Sequence, residues 1–457
     1  MPIDTHGIDW EEVGRESVEL FKGLLQIDTS NPPGGESEAA EYLAETLVED
    51  GLDPWIVESE PGRANLVVRL PATVDEPSGG PLLLAGHTDV VPADPDRWTQ
   101  PPFAGREVDG SIWGRGAVDM KNMVAMSTMV AKLLARRGRE RRRDLIVAAV
   151  ADEERGCTHG SQFLVEEHPD RVRAEFMLGE VGGFWLTIGP QTYIPVMVAQ
   201  KGHVHLRLTA RGASGHASIP RRDNALVKLA GAIQKLGNER LPYHLTPVME
   251  DFIRKVADSQ HLPTSMGLKS LLNSRLSGAA LDKLIPDESV ARNFDALLHN
   301  TVSPTVVEAG QSRNVIPDEA TCELDGRILP NFDGADLKRE VERCIDDDEI
   351  DVEIVSESPP VQTNPIGSPL LDTIGASLSA HAPEAVQVPY MIPGFTDARH
   401  FSRLGTRCYG FSPLRLDPDD DLVFSELFHG VDERVPVDGY IWGQRVLFDV
   451  VARFLAR

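Results

Sequence analysis

Short apolar runs alternate with longer segments of helical periodicity in the first half of the chain, and this alternation constrains the fold more than any other feature. The apolar runs are Asn65–Leu70, Pro81–Ala85, Asp144–Ala151 and Glu175–Leu178. The helical segments are Asp9–Ile27, Ser37–Asp50, Met120–Arg136 and His159–Glu167. Buried strands that alternate with amphipathic helices are typical of a sheet covered by helices on both faces. The sequence therefore predicts an α/β fold.

The pattern changes near residue 198, where a second, smaller sheet is predicted. From there the order of elements is β-α-β-β-α-β, which is typical of a ferredoxin-like domain with helices on one face of its sheet. The segments are Gly202–Arg211, Asn224–Leu236, Thr305–Ala309, Ala320–Leu329, Ala335–Cys344 and Asp351–Val355. After residue 358 the α/β pattern returns. We therefore predict an α/β domain formed by residues 1–197 and 359–457, and an inserted domain, residues 198–358, with an extra helical insertion at about 237–304.

Acidic side chains outnumber basic ones by a wide margin. The 457 residues include 71 Asp and Glu against 45 Lys and Arg, for a formal net charge of −26. Nucleic acids and anionic membranes are bound by basic surfaces, and the sequence has no apolar run near the roughly 20 residues of a membrane span. We therefore expect neither a nucleic acid nor a membrane as a partner.

The cysteines are spread along the chain without a CxxC pair. They are Cys157, Cys322, Cys344 and Cys408. This spacing suits a reduced cytoplasm and offers no thiolate metal site. The N-terminal residues also lack the basic and apolar pattern of a signal peptide. We therefore expect a cytoplasmic protein.

Predicted strands end in side chains that can bind a metal or transfer a proton. His87 and Asp89 follow one apolar run, Glu153 and Glu154 follow another, and Glu180 follows a third. In an open α/β sheet, the carboxyl ends of the strands carry the functional site. Asp89 lies two residues after His87, on the same face of an extended chain, so its carboxylate can orient the imidazole. Taken by themselves, His87 and Asp89 could be an ordinary hydrogen-bonded pair at the surface. Glu153 and Glu154 could belong to a solvated acidic loop.

Two further residues complete this set. Asp119 precedes a predicted helix, and by itself it could be an ordinary helix N-cap. His429 lies in a loop before the last predicted helix, where a lone histidine usually has no special role. Together with the strand ends, they give imidazoles and carboxylates without a thiolate. Such a set is typical of a two-metal site, usually zinc, in which a carboxylate bridges the ions.

The order of these motifs resembles the M20 family of metallopeptidases and deacylases. This family includes acetylornithine deacetylase, succinyl-diaminopimelate desuccinylase, aminoacylase and carboxypeptidase G, and the resemblance covers essentially the whole chain. It implies a zinc-peptidase-like, three-layer α/β/α catalytic domain with the inserted ferredoxin-like domain as a lid. It also implies two bound Zn²⁺ ions, for which Co²⁺ or Mn²⁺ could substitute.

The resemblance further implies a role for each residue of the site. Asp119 would bridge the two ions, and the peptide bond between Asp119 and Met120 would be cis. Glu153 would be the general base, and Asp89 would orient the imidazole of His87. The remaining metal ligands would be His87 and Glu180 on one ion, and Glu154 and His429 on the other.

The inserted domain and a later loop resemble the substrate-binding parts of the family. His216, in the run GASGHAS, would help to bind the oxyanion of the tetrahedral intermediate. Asn314 and Arg327 would bind the α-carboxylate of the substrate, for which a planar guanidinium is well suited. Gly394 would line the substrate cleft. The histidine, the asparagine and the arginine could each also be an ordinary loop, turn or surface residue.

The substrate and the quaternary structure stay open at this stage. The leading hypothesis is a di-zinc hydrolase that cleaves an amide bond next to a free carboxylate, in an N-acyl amino acid. A dipeptidase or carboxypeptidase with the same machinery is the alternative, and a catalytically silent binding relative is a third. The resemblance predicts a homodimer through the inserted domain, but the extra segment from Gly237 to Pro304 also allows a monomer.

Overall fold

A computed structural model describes residues 7–283, 288–362, 367–417, 422 and 427–457, and the chain divides into two units. The main unit comprises residues 1–198, 363–390 and 396–457. The inserted unit comprises residues 199–362 and 391–395. Residues 391–395 belong to the inserted unit although they follow the second predicted boundary in the sequence. Both units mix helices and strands, which confirms the predicted α/β class.

The elements are numbered in chain order. The strands are β1 (Trp55–Glu58), β2 (Ala64–Leu70), β3 (Leu82–His87), β4 (Arg106–Val108), β5 (Ser111–Trp113), β6 (Leu145–Val150), β7 (Phe176–Gly179), β8 (Leu186–Ile188), β9 (Gln191–Gln200), β10 (Gly202–Arg211), β11 (Gly215–His216), β12 (Thr301–Ala309), β13 (Val315–Ile316), β14 (Glu319–Ile328), β15 (Ile350–Ser358), β16 (Val361–Gln362), β17 (Val386–Ile392), β18 (Arg407–Gly410) and β19 (Arg434–Pro436). The helices are α1 (Trp10–Leu25), α2 (Glu36–Val48), α3 (Lys121–Arg137), α4 (Ser161–Glu167), α5 (Pro169–Val172), α6 (Ala225–Asn238), α7 (Pro247–Asp258), α8 (Thr264–Ser270), α9 (Ser277–Lys283), α10 (Glu288–Leu298), α11 (Gly334–Ile345), α12 (Pro369–His381), α13 (Ala398–Phe401) and α14 (Val437–Leu455). None of the helices in the described ranges is long and apolar enough to cross a membrane.

The main unit is built on a mixed sheet. Its strand order is β1-β2-β6-β3-β7-β18-β9, with β8 and β17 also paired to β9. The strands in the middle, β6, β3, β7 and β18, run parallel to one another. Because parallel strands end at the same edge of a sheet, the carboxyl ends of β3, β6 and β7 meet there.

Helices cover both faces of this sheet, which explains why β3 and β6 are buried along their whole length. On one face, a cluster of buried side chains joins the strands to α4, α5 and α13. On the other face, α3 packs against β3 and β6. Gly86 permits this close approach, since a Cβ there would lie 2.9 Å from Cε of Met120 and 3.0 Å from Cγ2 of Val124. The result is the three-layer α/β/α arrangement.

The inserted unit has the β-α-β-β-α-β order expected from its sequence. Its antiparallel sheet has the strand order β12-β14-β10-β15, and β11 and β13 form a separate two-stranded sheet. Alternate residues of β10 and β14 form a core with α6 and α11, which is why these strands alternate between buried and partly exposed positions. Helices α7–α10 lie between α6 and β12 in the chain, in the segment where a helical insertion is predicted.

Candidate metal centre

Parallel strands bring their polar ends to one edge of the main sheet. β3 ends at His87, and the acidic residues Glu153 and Glu154 follow β6. Glu180 follows directly after β7. In the sheet register, His87 lies opposite Val150, the last residue of β6. Residues far apart in the sequence therefore come together at this edge.

Asp119 lies between two imidazoles. Its Oδ1 is 3.0 Å from Nε2 of His87, and its Oδ2 is 2.9 Å from Nε2 of His429. The Asp119–Met120 peptide bond is cis, as the family resemblance predicted. A carboxylate whose two oxygens face one imidazole each is arranged to bridge two ions.

Each imidazole has a second carboxylate beside it. Oε2 of Glu154 is 3.1 Å from Nε2 of His429, and Oε2 of Glu180 is 3.9 Å from Nε2 of His87. The other carboxylate oxygen of Glu154 and of Glu180 is buried and has no hydrogen-bond partner in the described part of the chain. The structure thus brings together all five residues for which the sequence predicts metal binding.

The donor set fits divalent cations. His87, Glu153 and Glu180 offer ligand atoms that lie within 4.8 Å of one another, and so do His87, Asp119 and Glu154. Buried carboxylate oxygens without a partner are costly unless a cation satisfies them. Nitrogen and oxygen donors without a thiolate suit Zn²⁺, and they also suit Mn²⁺ or Co²⁺.

Burial raises the pKa of the acidic groups in this cluster, and the neighbouring charges and hydrogen bonds add to this effect or oppose it. Burial raises the pKa of Glu153, and the charge of Glu180 raises it further. Burial also raises the pKa of Glu180, against the opposing effect of His87. Burial opposes ionisation of Asp119 too, but its two imidazole partners lower its pKa to about 2. Hydrogen bonds to Asp119 and Glu154 raise the pKa of His429 to about 10.

The carboxylate of Asp89 fixes the turn that carries the two glutamates after β6. It is buried and accepts hydrogen bonds from the main-chain N–H of Glu153 at 3.0 Å and of Glu154 at 3.2 Å. It also accepts one from Nδ2 of Asn31 at 2.9 Å. The carboxylate of Asp89 therefore holds the main chain of the turn that carries Glu153 and Glu154.

A buried polar network supports the same turn from the other side. Oδ1 of Asp152 accepts hydrogen bonds from Nδ2 of Asn31 at 3.0 Å and from Nη2 of Arg63 at 2.9 Å. Arg63 also donates through Nε and Nη2 to the two carboxylate oxygens of Glu36, at 2.7 and 2.8 Å. The main chain of Asp152 is left-handed, with φ of 66°. Such a conformation persists only where surrounding contacts hold it, and this network supplies them.

His216 and Asn314 lie close together in the inserted unit. β11 pairs with β13 so that His216 lies opposite Val315, and the main-chain oxygen of Asn314 accepts the N–H of Ala217 at 3.0 Å. His216 is exposed, and its Nδ1 is 2.7 Å from the hydroxyl of Ser218. The substrate-binding roles of these two residues stay predictions.

Arg327 and Gly394 also belong to the inserted unit. Arg327, on β14, binds the carboxylate of Asp325 through Nε and Nη2 at 2.6 and 2.9 Å. Its guanidinium carbon lies 5.6 Å from the centre of the Phe395 ring, next to Gly394 in the chain. A Cβ at Gly394 would meet no described atom within 4 Å, so the local packing does not require a glycine there. The roles of Arg327 and Gly394 also stay predictions.

The sequence matches the profile of Peptidase family M20/M25/M40 over residues 83–453. The chain belongs to this family. It is therefore an M20 hydrolase, and the resemblance noted from its motifs is confirmed. Named members among its relatives hydrolyse amide bonds.

Several M20 relatives are similar over most of the chain. A probable carboxypeptidase S-like 2 of Dictyostelium discoideum is 30% identical over 79% of this chain and 69% of its own length. The N-fatty-acyl-amino acid synthase/hydrolase PM20D1 of Homo sapiens is 28% identical over 82% of this chain and 74% of its own length. A probable succinyl-diaminopimelate desuccinylase of Staphylococcus epidermidis is 27% identical over 97% of this chain and 98% of its own length.

Solved structures share the M20 fold. The M20 family metallo-carboxypeptidase Sso-CP2 from Sulfolobus solfataricus has a TM-score of 0.68 and 19% identity, over 97% of this chain and 100% of that one. The dipeptidase Dug1p from Saccharomyces cerevisiae has a TM-score of 0.63 and 15% identity, over 98% and 97% of the two chains. At these identities the likeness establishes the fold alone.

The buried network that supports the turn after β6 has no signal in the local sequence. Asn31, Arg63 and Glu36 act through contacts with residues far away in the sequence, so no local spacing reveals them. Asp152 belongs to the acidic run after β6, so proximity to a predicted ligand was the one signal available for it.

Proposed function

We propose that this protein hydrolyses the amide bond of an N-acyl amino acid at a two-metal centre. The observation that carries the proposal is the position of Asp119, whose two carboxylate oxygens face one imidazole each. Asp119 is the proposed bridging ligand, and zinc is the proposed metal, with Co²⁺ or Mn²⁺ as substitutes. The other proposed ligands are His87 and Glu180 on one ion, and Glu154 and His429 on the other.

Glu153 is the proposed general base. When bound, the cations would polarise the substrate carbonyl and lower the pKa of a water molecule. Glu153 is buried, and its main-chain N–H is held by Asp89 at 3.0 Å. One of its carboxylate oxygens lies within 4.8 Å of ligand atoms of His87 and Glu180, which supports a role at the proposed centre. It would accept a proton from the attacking water and pass that proton to the departing nitrogen.

Substrate recognition is assigned to the inserted unit and the loop at Gly394. Arg327 and Asn314 are the proposed ligands of the substrate carboxylate, and His216 is the proposed donor to the developing oxyanion. Gly394 would let the substrate approach the main chain. The names of two relatives, an N-fatty-acyl-amino acid synthase/hydrolase and a desuccinylase, support an acyl group on an amino acid as the substrate class.

A dipeptidase or carboxypeptidase activity is the second candidate. It is favoured by the relative that is 30% identical and named as a probable carboxypeptidase. The same metal centre would serve both reactions, because both cleave an amide next to a carboxylate. A silent binding protein is disfavoured, since all five proposed ligands and Glu153 are present and close together.

The decisive experiment is a substrate panel with the zinc-loaded protein. N-acyl amino acids of increasing acyl length, dipeptides, and the carboxamide analogues of both are compared under one condition. We expect hydrolysis of free acids and little of the carboxamides, and faster hydrolysis of acyl amino acids than of dipeptides. A preference for dipeptides would support the second candidate, and zinc binding without turnover of any compound would contradict both.

Glu153→Gln tests the role of the base. We expect the variant to keep its full complement of zinc and to lose about 100- to 10,000-fold in kcat, because the shape is kept and the proton acceptor is lost. Glu166→Gln, a change on the solvent-exposed side of α4, is the control and should leave kcat unchanged. Substantial turnover by fully loaded Glu153→Gln would remove the assignment.

The remaining proposals concern partners and location. We propose a small molecule as the partner of the site, a homodimer formed through the inserted unit, and a cytoplasmic location. Cysteines spread without a CxxC pair support the location. Light scattering during gel filtration tests the dimer, and a clean monomer would favour the alternative in which helices α7–α10 take the place of a partner.

A further inference from the structure

The carboxylate of Glu433 is buried and accepts four hydrogen bonds from one short segment of chain. Its Oε1 accepts the N–H of Val118 at 2.6 Å and of Asp119 at 3.0 Å. Its Oε2 accepts the N–H of Gly116 at 3.0 Å and Nη1 of Arg115 at 2.8 Å. All four donors belong to the segment that ends at the proposed bridging ligand. One side chain therefore holds much of this segment.

Main-chain pairing places Glu433 beside the same segment. β19 pairs with β5 in antiparallel fashion, so Arg434 lies opposite Trp113. The N–H of Gly114 donates to the main-chain oxygen of Glu433 at 3.0 Å. Both the main chain and the side chain of Glu433 thus bind the loop that leads to Asp119.

The loop that carries His429 is strained. His429 and Asp432 both have left-handed main-chain conformations, with φ of 57° and 62°. Such conformations are unfavourable for residues other than glycine, and they persist only where neighbouring contacts are strong. The carboxylate of Asp432 accepts the N–H and the hydroxyl of Thr99, both at 2.7 Å. Glu433 follows directly and makes the contacts on the side of Asp119.

We propose that Glu433 is a positioning residue that sets the distance between Asp119 and His429. It binds the segment that ends at Asp119, and it lies four residues after His429 in the same loop. A displacement of either end would separate Oδ2 of Asp119 from Nε2 of His429, which lie 2.9 Å apart. The inference rests on the proposed function, in which both residues are metal ligands.

The role requires a carboxylate and not only the shape of the side chain. In Glu433→Gln one terminal atom is an NH₂ group, which cannot accept a hydrogen bond and would face N–H donors. Two of the four donors would lose their acceptor in a buried place, or the segment would move away. Glu433→Gln is therefore the test variant.

The matched control is Asp449→Asn. Asp449 is a buried carboxylate of α14 in the same unit. It accepts hydrogen bonds from Oγ of Ser377 and Nε of Arg453, both at 2.8 Å. Nε2 of His381 lies 3.4 Å from the same oxygen. None of these three partners is a proposed metal ligand, so this variant removes the charge of a buried carboxylate without touching the candidate metal centre.

The measurement is metal affinity in the metal-depleted protein, titrated with Zn²⁺ against a chromophoric chelator. We expect Glu433→Gln to bind Zn²⁺ at least about tenfold more weakly than the wild type, as is usual when a group that supports a ligand is lost. The absorption spectrum of bound Co²⁺ should change as well. The amide hydrogens of Val118 and Asp119 should exchange faster in this variant, and Asp449→Asn should match the wild type in all three readouts.

Wild-type zinc affinity together with an unchanged Co²⁺ spectrum in folded Glu433→Gln would overturn the proposal. An equal loss of affinity in Asp449→Asn would also overturn it, because the effect would then be one of general stability. Should Glu433→Gln not fold, Arg115→Gln removes a single donor to Oε2, and wild-type affinity in that variant would overturn the proposal too. Failure of the wild-type protein to bind Zn²⁺ would instead contradict the proposed function, on which this inference depends.

Discussion

Nδ1 of His87 lies 2.9 Å from the main-chain carbonyl oxygen of Asp89 and 3.5 Å from the nearer oxygen of its carboxylate. The carbonyl is the closer acceptor, so it holds the proton on Nδ1 and leaves Nε2 to face Asp119 in the candidate metal centre. The carboxylate of Asp89 accepts its hydrogen bonds from the acidic turn after β6 instead. One residue thus orients an imidazole through its main chain and a turn through its side chain.

Because the main chain and the side chain of Asp89 have different partners, Asp89→Asn should disturb the acidic turn and leave the imidazole of His87 in place. An amide has one accepting oxygen, so at least one of the three donors to Asp89, the N–H groups of Glu153 and Glu154 and Nδ2 of Asn31, would lose its partner. We expect kcat to fall by about 10- to 100-fold. The tautomer of His87, followed by NMR of the imidazole nitrogens, should not change, because the carbonyl remains.

Asp144→Asn is the control for this change. Asp144 also accepts a main-chain N–H, that of Ala72 at 2.8 Å, and it pairs with Arg69 at 2.9 Å. It precedes β6 instead of following it, so kcat should stay close to the wild-type value. A change of the His87 tautomer in Asp89→Asn would show that the carboxylate orients the ring after all.

Arg63→Met should destabilise the main unit strongly. The side chain of Glu36 is fully buried and Arg63 pairs with both of its oxygens, so removal of the guanidinium leaves an uncompensated charge inside the protein. Breaking a buried pair in this way costs about 3–5 kcal/mol of unfolding free energy. Urea denaturation of the metal-depleted protein measures this loss.

Two further variants separate the charge from the packing. Glu36→Gln added to Arg63→Met should recover part of the lost stability, because it removes the charge of one of the two carboxylates that pair with Arg63. Arg69→Met breaks the more exposed pair with Asp144 and should cost less than about 1 kcal/mol. Equal losses in Arg63→Met and Arg69→Met would contradict the structural role of the buried network.

Local patterns in the sequence were enough to predict the sheet and the positions of its polar ends. The run Leu82–His87 is apolar until its last residue, and this change of polarity marks both β3 and the side chain that its end presents. Within the helical insertion predicted at about 237–304, α7 has buried positions that recur with helical spacing. The sequence does not predict α8 and α9 one by one, because both are short and bury few side chains.

The supports of the site could not be predicted in this way, because they depend on the tertiary fold. Asn31 binds Asp152, and Glu433 binds the segment before Asp119, only after the strands have placed these parts of the chain together. Pairing of β5 with β19 brings Glu433 into place, and both strands are too short to give a clear pattern. Residue type and order were enough to predict the candidate ligands, whereas the residues that support them required the structure.

His400 should make the stability of the main unit depend on pH. Burial lowers the pKa of His400 to about 4, and the neighbouring charges of Arg399 and Arg403 act in the same direction. In the unfolded chain the pKa would be near 6.5. Between pH 6.5 and 4 the unfolded state therefore binds a proton that the folded state does not, so the unfolding free energy decreases as the pH falls through this window.

His400→Gln should remove this dependence, since glutamine does not titrate and can still accept the hydrogen bond from Nε of Arg399. We expect the wild type to lose at most about 3 kcal/mol more than the variant between pH 6.5 and 4. Both proteins are unfolded in urea with a chelator present, so that metal release contributes equally. Parallel pH profiles of the two proteins would contradict the lowered pKa.

Arg327 is already paired within its own strand. Asp325 takes the Nε and Nη2 side of the guanidinium, and His203 lies 3.5 Å from the same carboxylate. Burial opposes ionisation of Asp325, but His203 and Arg327 together lower its pKa well below its usual range, so it stays charged. The other edge of the guanidinium, between its two terminal nitrogens, has the geometry to bind a second carboxylate, which we propose is that of the substrate.

Asp325→Asn should therefore weaken the binding of free acids and leave the chemistry intact. Asparagine cannot bind the guanidinium through two accepting oxygens, so Arg327 would lose its fixed orientation. We expect KM for an N-acyl amino acid to rise by about 10-fold, the effect of roughly one charge-assisted hydrogen bond, with kcat within about twofold of the wild type. KM for the matching carboxamide should not change, and Arg327→Lys should show the same selectivity. A fall in kcat with an unchanged KM, or an equal rise of KM for acid and carboxamide, would show that Arg327 does not bind the substrate carboxylate.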